Sequence, residues 1–309
     1  MAATDSKRLV SAPWLHDNLS RVKVLDGSWY LPFMERNVKR EFKEAHIPGA
    51  HIFDIDEVKD LSKADLPHMC PPPESFGLSM DRLGISNQDH VVVYDTAGVG
   101  PACRVFWTFR AMGHDKVSVL NGGLPAWTAQ KYVTESGEPS SVPERDAKYV
   151  AHVNEGLVCG YTDVVKNIGE LKVSSGLQGR QIVDARPRDR FTGSAPEFRP
   201  GLSSGHMPHA INVPFTELTK SAGPGEAQVQ VLKSPDEIRQ VFESAGVDLG
   251  RPIVTSCGSG VTASILYFAL LNAGVSEQSL TVYDGSWTEY ALNPYSEIIK
   301  DGEINKDSK

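Results

Sequence analysis

Cys257 is the residue of this chain best placed to do chemistry. An apolar, strand-like run from Pro252 to Ser256 delivers it into a loop of small residues, Gly258-Ser259-Gly260-Val261-Thr262, that opens directly into a helical pattern. From Ala263 to Ala273 the apolar residues recur at helical spacing through Ile265, Leu266, Phe268, Ala269 and Leu271, and Gly274 reads as the stop. A cysteine just ahead of a helix N-terminus faces loop N–H groups and the positive end of the helix dipole. Both favour negative charge, so the thiolate, which is the nucleophilic form, is favoured over the thiol. The competing reading is a cysteine that only fills space. Gly258 and Ser259 offer it no apolar partners, which argues for the reactive reading.

A chain of 309 residues exceeds the comfortable size of one hydrophobic core, so two domains of about 150 residues are expected. Hydrophobic residues at 40% and charged residues at 23% fit a globular protein in water. A formal charge of -8 argues against nucleic acid and anionic membrane as partners, and leaves room for a local basic site for a small anion. Cys70, Cys103, Cys159 and Cys257 are scattered with no C-x-x-C pair, so neither a zinc site nor a disulfide scaffold is indicated, and no metal or organic cofactor is expected. They point to a reducing compartment, the cytoplasm, with the mitochondrion as the alternative. Met1 to Arg21 carries Asp5 and Asp17 and no apolar signal core, and no stretch reaches ~18 consecutive apolar residues, so no membrane association is expected.

The elements that must position Cys257 occur twice. Val22 to Asp26 precedes His46-Ile47-Pro48-Gly49-Ala50, and Gln181 to Asp184 precedes His206-Met207-Pro208-His209-Ala210, each an extended run ending in Asp followed by His-x-Pro-x-Ala. His90 to Asp95 and a helix from Arg104 to Met112 match Ile253 to Cys257 and its helix, and Asn121-Gly122-Gly123 to Trp127 matches Asp284-Gly285-Ser286-Trp287. In this alignment Asp95 takes the place of Cys257, so only the second half supplies a nucleophile. Short strands alternating with helices predict an α/β fold of two tandem domains, each a mostly parallel sheet with helices on both faces and its ligand site at the carboxyl ends of the strands. The first domain is expected over 1–136, a linker over 137–158 with its polar Pro- and Ser-rich run beginning at Glu135, the catalytic domain over 159–300 and a frayed tail over 301–309. The segment Ser221 to Gly225 reads as a surface excursion. His46 and His206, present in both halves, read as structural, and Trp287 and Tyr290 as packing residues near the cleft.

With these landmarks the chain resembles, over nearly its whole length, the sulfurtransferases built from two tandem rhodanese-like domains. The loop Cys257-Gly258-Ser259-Gly260-Val261-Thr262 is similar to that of the 3-mercaptopyruvate sulfurtransferases, whereas thiosulfate-using rhodaneses carry a Cys-Arg-Lys-Gly-Val-Thr type loop. Thiosulfate is a compact dianion that two loop cations would offset; Gly258 and Ser259 supply none. The resemblance implies that Arg190 and Arg199 hold the carboxylate and ketone of the substrate, a task that suits the planar fork of arginine. It implies further that Gly258, Gly260, Val261 and Thr262 line the sulfur site, and that Ser259, His68 and Asp56 form a proton relay. Arg186 could equally serve a structural pair. The expected reaction carries sulfur from 3-mercaptopyruvate through a Cys257 persulfide to a thioredoxin-like protein, a small thiol or cyanide, releasing pyruvate and ultimately hydrogen sulfide.

Thiosulfate:cyanide sulfurtransfer stays open as the alternative chemistry. A non-catalytic rhodanese-like binding module is the alternative from another class, and the presence of Cys257 speaks against it. A cysteine phosphatase would want an arginine about six residues after the nucleophile, and position 263 is alanine. A dinucleotide fingerprint at Gly98-Val99-Gly100 fails because Cys103 stands where its third glycine belongs.

Overall fold

Val22–Asp26, His90–Tyr94 and Ile253–Ser256 are short, β-branched and apolar, the composition of strands buried on both faces. In a computed structural model, which describes residues 7–139, 141–142, 148–173, 178–223 and 229–301, they lie at the centres of two parallel sheets. The first comprises β1 (Leu9–Val10), β2 (Val22–Asp26), β3 (His51–Ile52), β4 (His90–Tyr94) and β5 (Val117–Leu120) in the order β1-β5-β4-β2-β3. The second repeats it with β6 (Val158–Cys159), β7 (Gln181–Asp184), β8 (Ile211–Asn212), β11 (Ile253–Ser256) and β12 (Leu280–Tyr283) in the order β6-β12-β11-β7-β8; between them in sequence fall β9 (Thr219–Ala222) and β10 (Val229–Leu232). Helices α1 (Ala12–Asn18), α2 (Val38–Glu44), α3 (Pro73–Arg82), α4 (Ala102–Ala111) and α5 (Gly123–Ala129) accompany the first sheet, and α6 (Tyr161–Val173), α7 (Arg188–Thr192), α8 (Pro235–Ser244), α9 (Val261–Asn272) and α10 (Ser286–Leu292) the second. The α/β class and the duplicated parallel sheet are as the sequence led us to expect.

Strand register makes the duplication quantitative. Asp26 of β2 pairs with Tyr94 of β4, and Asp184 of β7 pairs with Ser256 of β11. The next residues are Asp95 and Cys257, so the two stand at equivalent points beyond the sheet. The repeated histidines are structural in both halves: His46 stacks on Phe42 and bonds its carbonyl at 2.7 Å, and His206 does the same with Phe191 at 2.9 Å.

The halves are joined by a shared core. Helix α4, buried along nearly its whole length, packs on α9, and Phe106 meets Phe268 edge to face with ring centroids 4.9 Å apart. One hydrophobic cluster runs through both sheets and includes Cys257. Residues between the halves are strapped to the first: Tyr149 Oη lies 2.8 Å from His114 Nδ1, and the His152 and Asn154 N–H groups donate to the Met112 and Ala111 carbonyls. At the other end the Asp301 N–H donates to Thr192 O, so the chain is still docked there; residues 302–309 lie outside the described set.

The expected loop at Ser221 to Gly225 is corrected where it is described: Ser221 and Ala222 belong to β9, which pairs antiparallel with β10, and Pro224 and Gly225 lie outside the described residues. This hairpin crosses to the first half, where Leu232 N–H donates to Asn121 Oδ1 at 3.0 Å. Gly98, at φ 107°, lets it close in, since a β-carbon there would stand 2.3 Å from Gln230 O. The β-branched residues Val229 and Val231 alternating about Gln230 were the missed strand signal; Gly223, Pro224 and Gly225 drew attention instead.

Candidate active site

The first half shows what the loop after the central strand is built to hold. Asp95 is fully buried, and its carboxylate accepts four backbone N–H bonds, from Ala97 and Gly98 at 2.9 and 2.7 Å and from Gly100 and Ala102 at 2.8 and 3.0 Å. Burial pushes this carboxyl up from its ordinary range, and the four donors pull it back toward the anion. The loop is therefore an anion nest closed by its own side chain.

In the second half Cys257 stands at the same point and is 2% exposed. Its own N–H donates to Ser286 Oγ at 3.1 Å, and its carbonyl accepts from Trp287 N–H. Gly258 O is held by the N–H and Oγ1 of Thr288, at 3.0 and 2.6 Å. These bonds pin the loop from α10. The N–H groups of Gly258, Ser259, Gly260, Val261 and Thr262 have no hydrogen-bond acceptor among the described residues. Gly260, at φ 80°, caps α9, whose first residues are Val261 and Thr262. The expectation that Cys257 lacks apolar neighbours is overturned: they come from other elements of the shared core, which a reading of the loop alone misses.

Arg190 and Arg199 both approach this loop, and they are not equivalent. Nη2 of Arg190 lies 3.4 Å from where a β-carbon of Gly258 would stand, so the side chain reaches the cysteine loop. Its Nε and Nη2, however, are already bonded to Glu197 Oε2, and its guanidinium lies 4.2 Å over the Phe198 ring. Arg186 binds the other oxygen of Glu197 and, through Asp184, the strand end, so it is a structural cation. Arg199 makes one long contact, 3.4 Å to Thr288 Oγ1. Burial pushes Arg199 down from its ordinary value; Cys257, when ionised, opposes this first, and Arg190 adds to it. The guanidinium is thus near the sulfur, half-buried, and incompletely offset by anions.

From the first half come Asp56 and His68. His68 is 4% exposed, with Nδ1 3.1 Å from Asp56 Oδ1, within ion-pairing reach though off the line of a good hydrogen bond, and with its ring edge-on to Trp29. Trp29 Nε1 donates to Asp56 Oδ2 at 2.8 Å. His68, followed by Trp29 and Lys59, holds the Asp56 carboxyl down at about 2. Burial is the main reason the His68 ring is shifted down from 6.5; Asp56 opposes the shift, and Arg104 and Arg199 add to it. The ring is therefore neutral at neutral pH, beside a carboxylate. Nε2 of His68 is buried with no partner, so no bond joins it to Ser259, which is itself 8% exposed. Trp29, Glu197, Thr288 and Ser286 were not singled out from the sequence; nothing in their spacing marks them, because each acts from a distant element.

Comparison with known proteins fits this arrangement. The rhodanese-like domain model matches residues 11–130 and again 164–293. The chain belongs to the tandem rhodanese family. This chain is 43% identical over 291 residues to the probable 3-mercaptopyruvate sulfurtransferase of Schizosaccharomyces pombe, covering 93% of each, and 38% identical over 305 residues to the 3-mercaptopyruvate sulfurtransferase of Homo sapiens, covering 96% of each. The crystal structure of SseA from Escherichia coli, described as a 3-mercaptopyruvate sulfotransferase, superposes with a TM-score of 0.77 at 36% identity, over 91% of this chain and 98% of that one. Both rhodanese halves are thus present, with the cysteine in the second. No helix among the described residues is long and apolar enough to cross a membrane.

Proposed function

We propose that this chain is a 3-mercaptopyruvate sulfurtransferase in which Cys257 carries the sulfur. The observation that supports it most is the pair of register-matched loops: four N–H groups grip a carboxylate at Asp95, and in the loop that follows Cys257 the N–H groups of residues 258–262 are left without an acceptor among the described residues. The Cys257 thiolate attacks the substrate sulfur; the new S–S bond forms as the carbon–sulfur bond breaks, and the electron pair leaves with carbon as pyruvate enolate. Arg199, with Arg190, orients the 2-oxo acid and offsets charge on the enolate oxygen. The substrate's thiol proton, relayed by Ser259 with His68 and Asp56, ends on C3 of the enolate, giving pyruvate and a Cys257 persulfide. A thiol acceptor, a thioredoxin-like protein or a small thiol, takes the outer sulfur, and a second thiol then forms a disulfide and releases hydrogen sulfide. All four cysteines are free, in keeping with a reducing compartment such as the cytoplasm or the mitochondrial interior.

The test is to give the purified protein 3-mercaptopyruvate or thiosulfate with a reducible thiol acceptor, recording intact mass, pyruvate and sulfide. One added sulfur on Cys257, with pyruvate formed and mercaptopyruvate strongly preferred, supports the reading. Preference for thiosulfate moves the chain to the other branch of the family, and no added sulfur from either donor leaves only a binding module.

The relay has its own signature in pH. His68 must be neutral to accept a proton, so activity should fall on the acid side only below the ordinary histidine value of 6.5. Asp56 raises the His68 value, so Asp56→Asn lowers it: the acid limb moves to lower pH while kcat falls roughly tenfold through lost orientation. Pyruvate release followed from about pH 5 to about pH 8 checks this. An acid limb that stays in place or moves upward would remove His68 from the relay.

A further inference from the structure

The relay and the nucleophile come from different halves of the chain, so something must hold them in one frame. Arg104 lies where the two meet. It sits in the first turn of α4, is 1% exposed, and its guanidinium stacks 4.3 Å over the Trp107 ring. Nη2 donates to the backbone carbonyl of His68 and, at 2.7 Å, to Asp284 Oδ1 of the second half. The other oxygen of Asp284 accepts the Cys70 N–H at 2.7 Å. Arg104 and Asp284 together therefore grip both ends of His68-Met69-Cys70. That grip has a purpose visible in the backbone: His68 adopts φ 58°, a left-handed conformation that a residue with a β-carbon disfavours and that its surroundings must impose.

The same guanidinium reaches the nucleophile loop. Nη1 of Arg104 is buried without a hydrogen-bond partner and lies 2.5 Å from where a β-carbon on Gly260 would stand; Asp284 O lies 2.9 Å from that point. Only glycine fits there, because φ is 80° and because Arg104 and the chain after β12 close on it from two sides. One side chain thus touches the residue that carries the base, the loop that carries Cys257 and Ser259, and the ion pair that docks the halves.

We infer that Arg104 is a positioning residue for sulfur transfer: by bonding the His68 carbonyl and Asp284 while packing on Gly260, it sets His68 against the Cys257–Ser259 loop. This rests on the reading of His68 and Ser259 as a relay. It assigns Arg104 no contact with substrate. It also accounts for the strained backbone at His68 and the cation buried behind a loop that has none of its own.

Arg104→Met and Arg104→Lys of the full chain test it, with wild type alongside, measuring pyruvate kcat and KM, Cys257 persulfide by intact mass, melting temperature and the pH profile. Lysine keeps the charge and one donor nitrogen, but it has no second nitrogen to pack against Gly260 as Nη1 does and no planar group to stack on Trp107. Asp56, Arg104, Arg199 and the Trp29 ring face His68; removing the Arg104 charge raises the His68 value, so the acid limb of the methionine variant moves to higher pH. We expect kcat to fall roughly tenfold in the lysine variant with the acid limb in place, and several tens-fold in the methionine variant with the limb shifted upward, KM for mercaptopyruvate staying within about threefold in both. If the methionine variant folds and keeps the wild-type rate and acid limb, the inference falls. If it does not fold, the lysine variant decides: wild-type kcat there reduces Arg104 to a buried cation that only holds the halves together. A wild-type protein that forms no persulfide overturns the proposed function instead, so the two failures are distinct.

Discussion

Cys257→Ser is expected to take up no sulfur and to lose pyruvate formation by roughly four orders of magnitude or more, while folding normally. Serine is nearly isosteric, and the bonds that hold the loop, from Ser286, Trp287 and Thr288, are made to the backbone of residues 257 and 258. The loss is therefore one of chemistry: a hydroxyl is a poor nucleophile toward sulfur and forms no persulfide. Intact mass after mercaptopyruvate, read together with the melting curve, checks it. A serine variant that still turns over at the wild-type rate would sink the mechanism.

Cys257→Asp separates the nest from the reaction. It places at 257 the side chain that the register-matched loop holds at 95, so it should be inactive yet at least as stable as the serine variant, because loop N–H groups have an anion to bind. An aspartate variant much less stable than the serine variant would mean that the second loop has lost the anion geometry of the first.

How much of this could be read from the chain depended on the range of the interaction. Cys257, its loop and the stop at Gly274 were legible because the strand, the small residues and the helix that follow one another in sequence are also adjacent in space. The duplicated His-x-Pro-x-Ala and the equivalence of Asp95 with Cys257 were legible as a repeat, and strand register bears them out. Asp56, His68, Arg190 and Arg199 came only from family resemblance, since an arginine or histidine in a loop carries no mark of its destination. Interactions closing between the halves were invisible: Arg104 meets Asp284 across 180 positions, and the hairpin β9–β10 reaches Asn121 across 111. Burial of Cys257 was misread for the same reason, as its apolar neighbours arrive from other elements.

The asymmetry between the two arginines leads to the second large effect. A substrate carboxylate needs a fork that is near the sulfur and still free, and Arg190 has given two of its donors to Glu197. Arg199 has a single 3.4 Å side-chain hydrogen bond, with Thr288, and burial pushes it down from its ordinary value, opposed by Cys257 and more weakly by Glu197 and Asp56, neither of which is bonded to it. A carboxylate delivered there makes charge-assisted, partly buried bonds of roughly 3 kcal/mol, about a hundredfold in binding. Arg199→Met should therefore raise KM for mercaptopyruvate about a hundredfold and, because the enolate oxygen also loses its cation, lower kcat roughly tenfold. A raised KM with kcat unchanged would confine Arg199 to holding the carboxylate. Steady-state pyruvate formation distinguishes these outcomes, and a KM within about threefold of wild type would pass the carboxylate to Arg190, which would then have to release Glu197 to accept it.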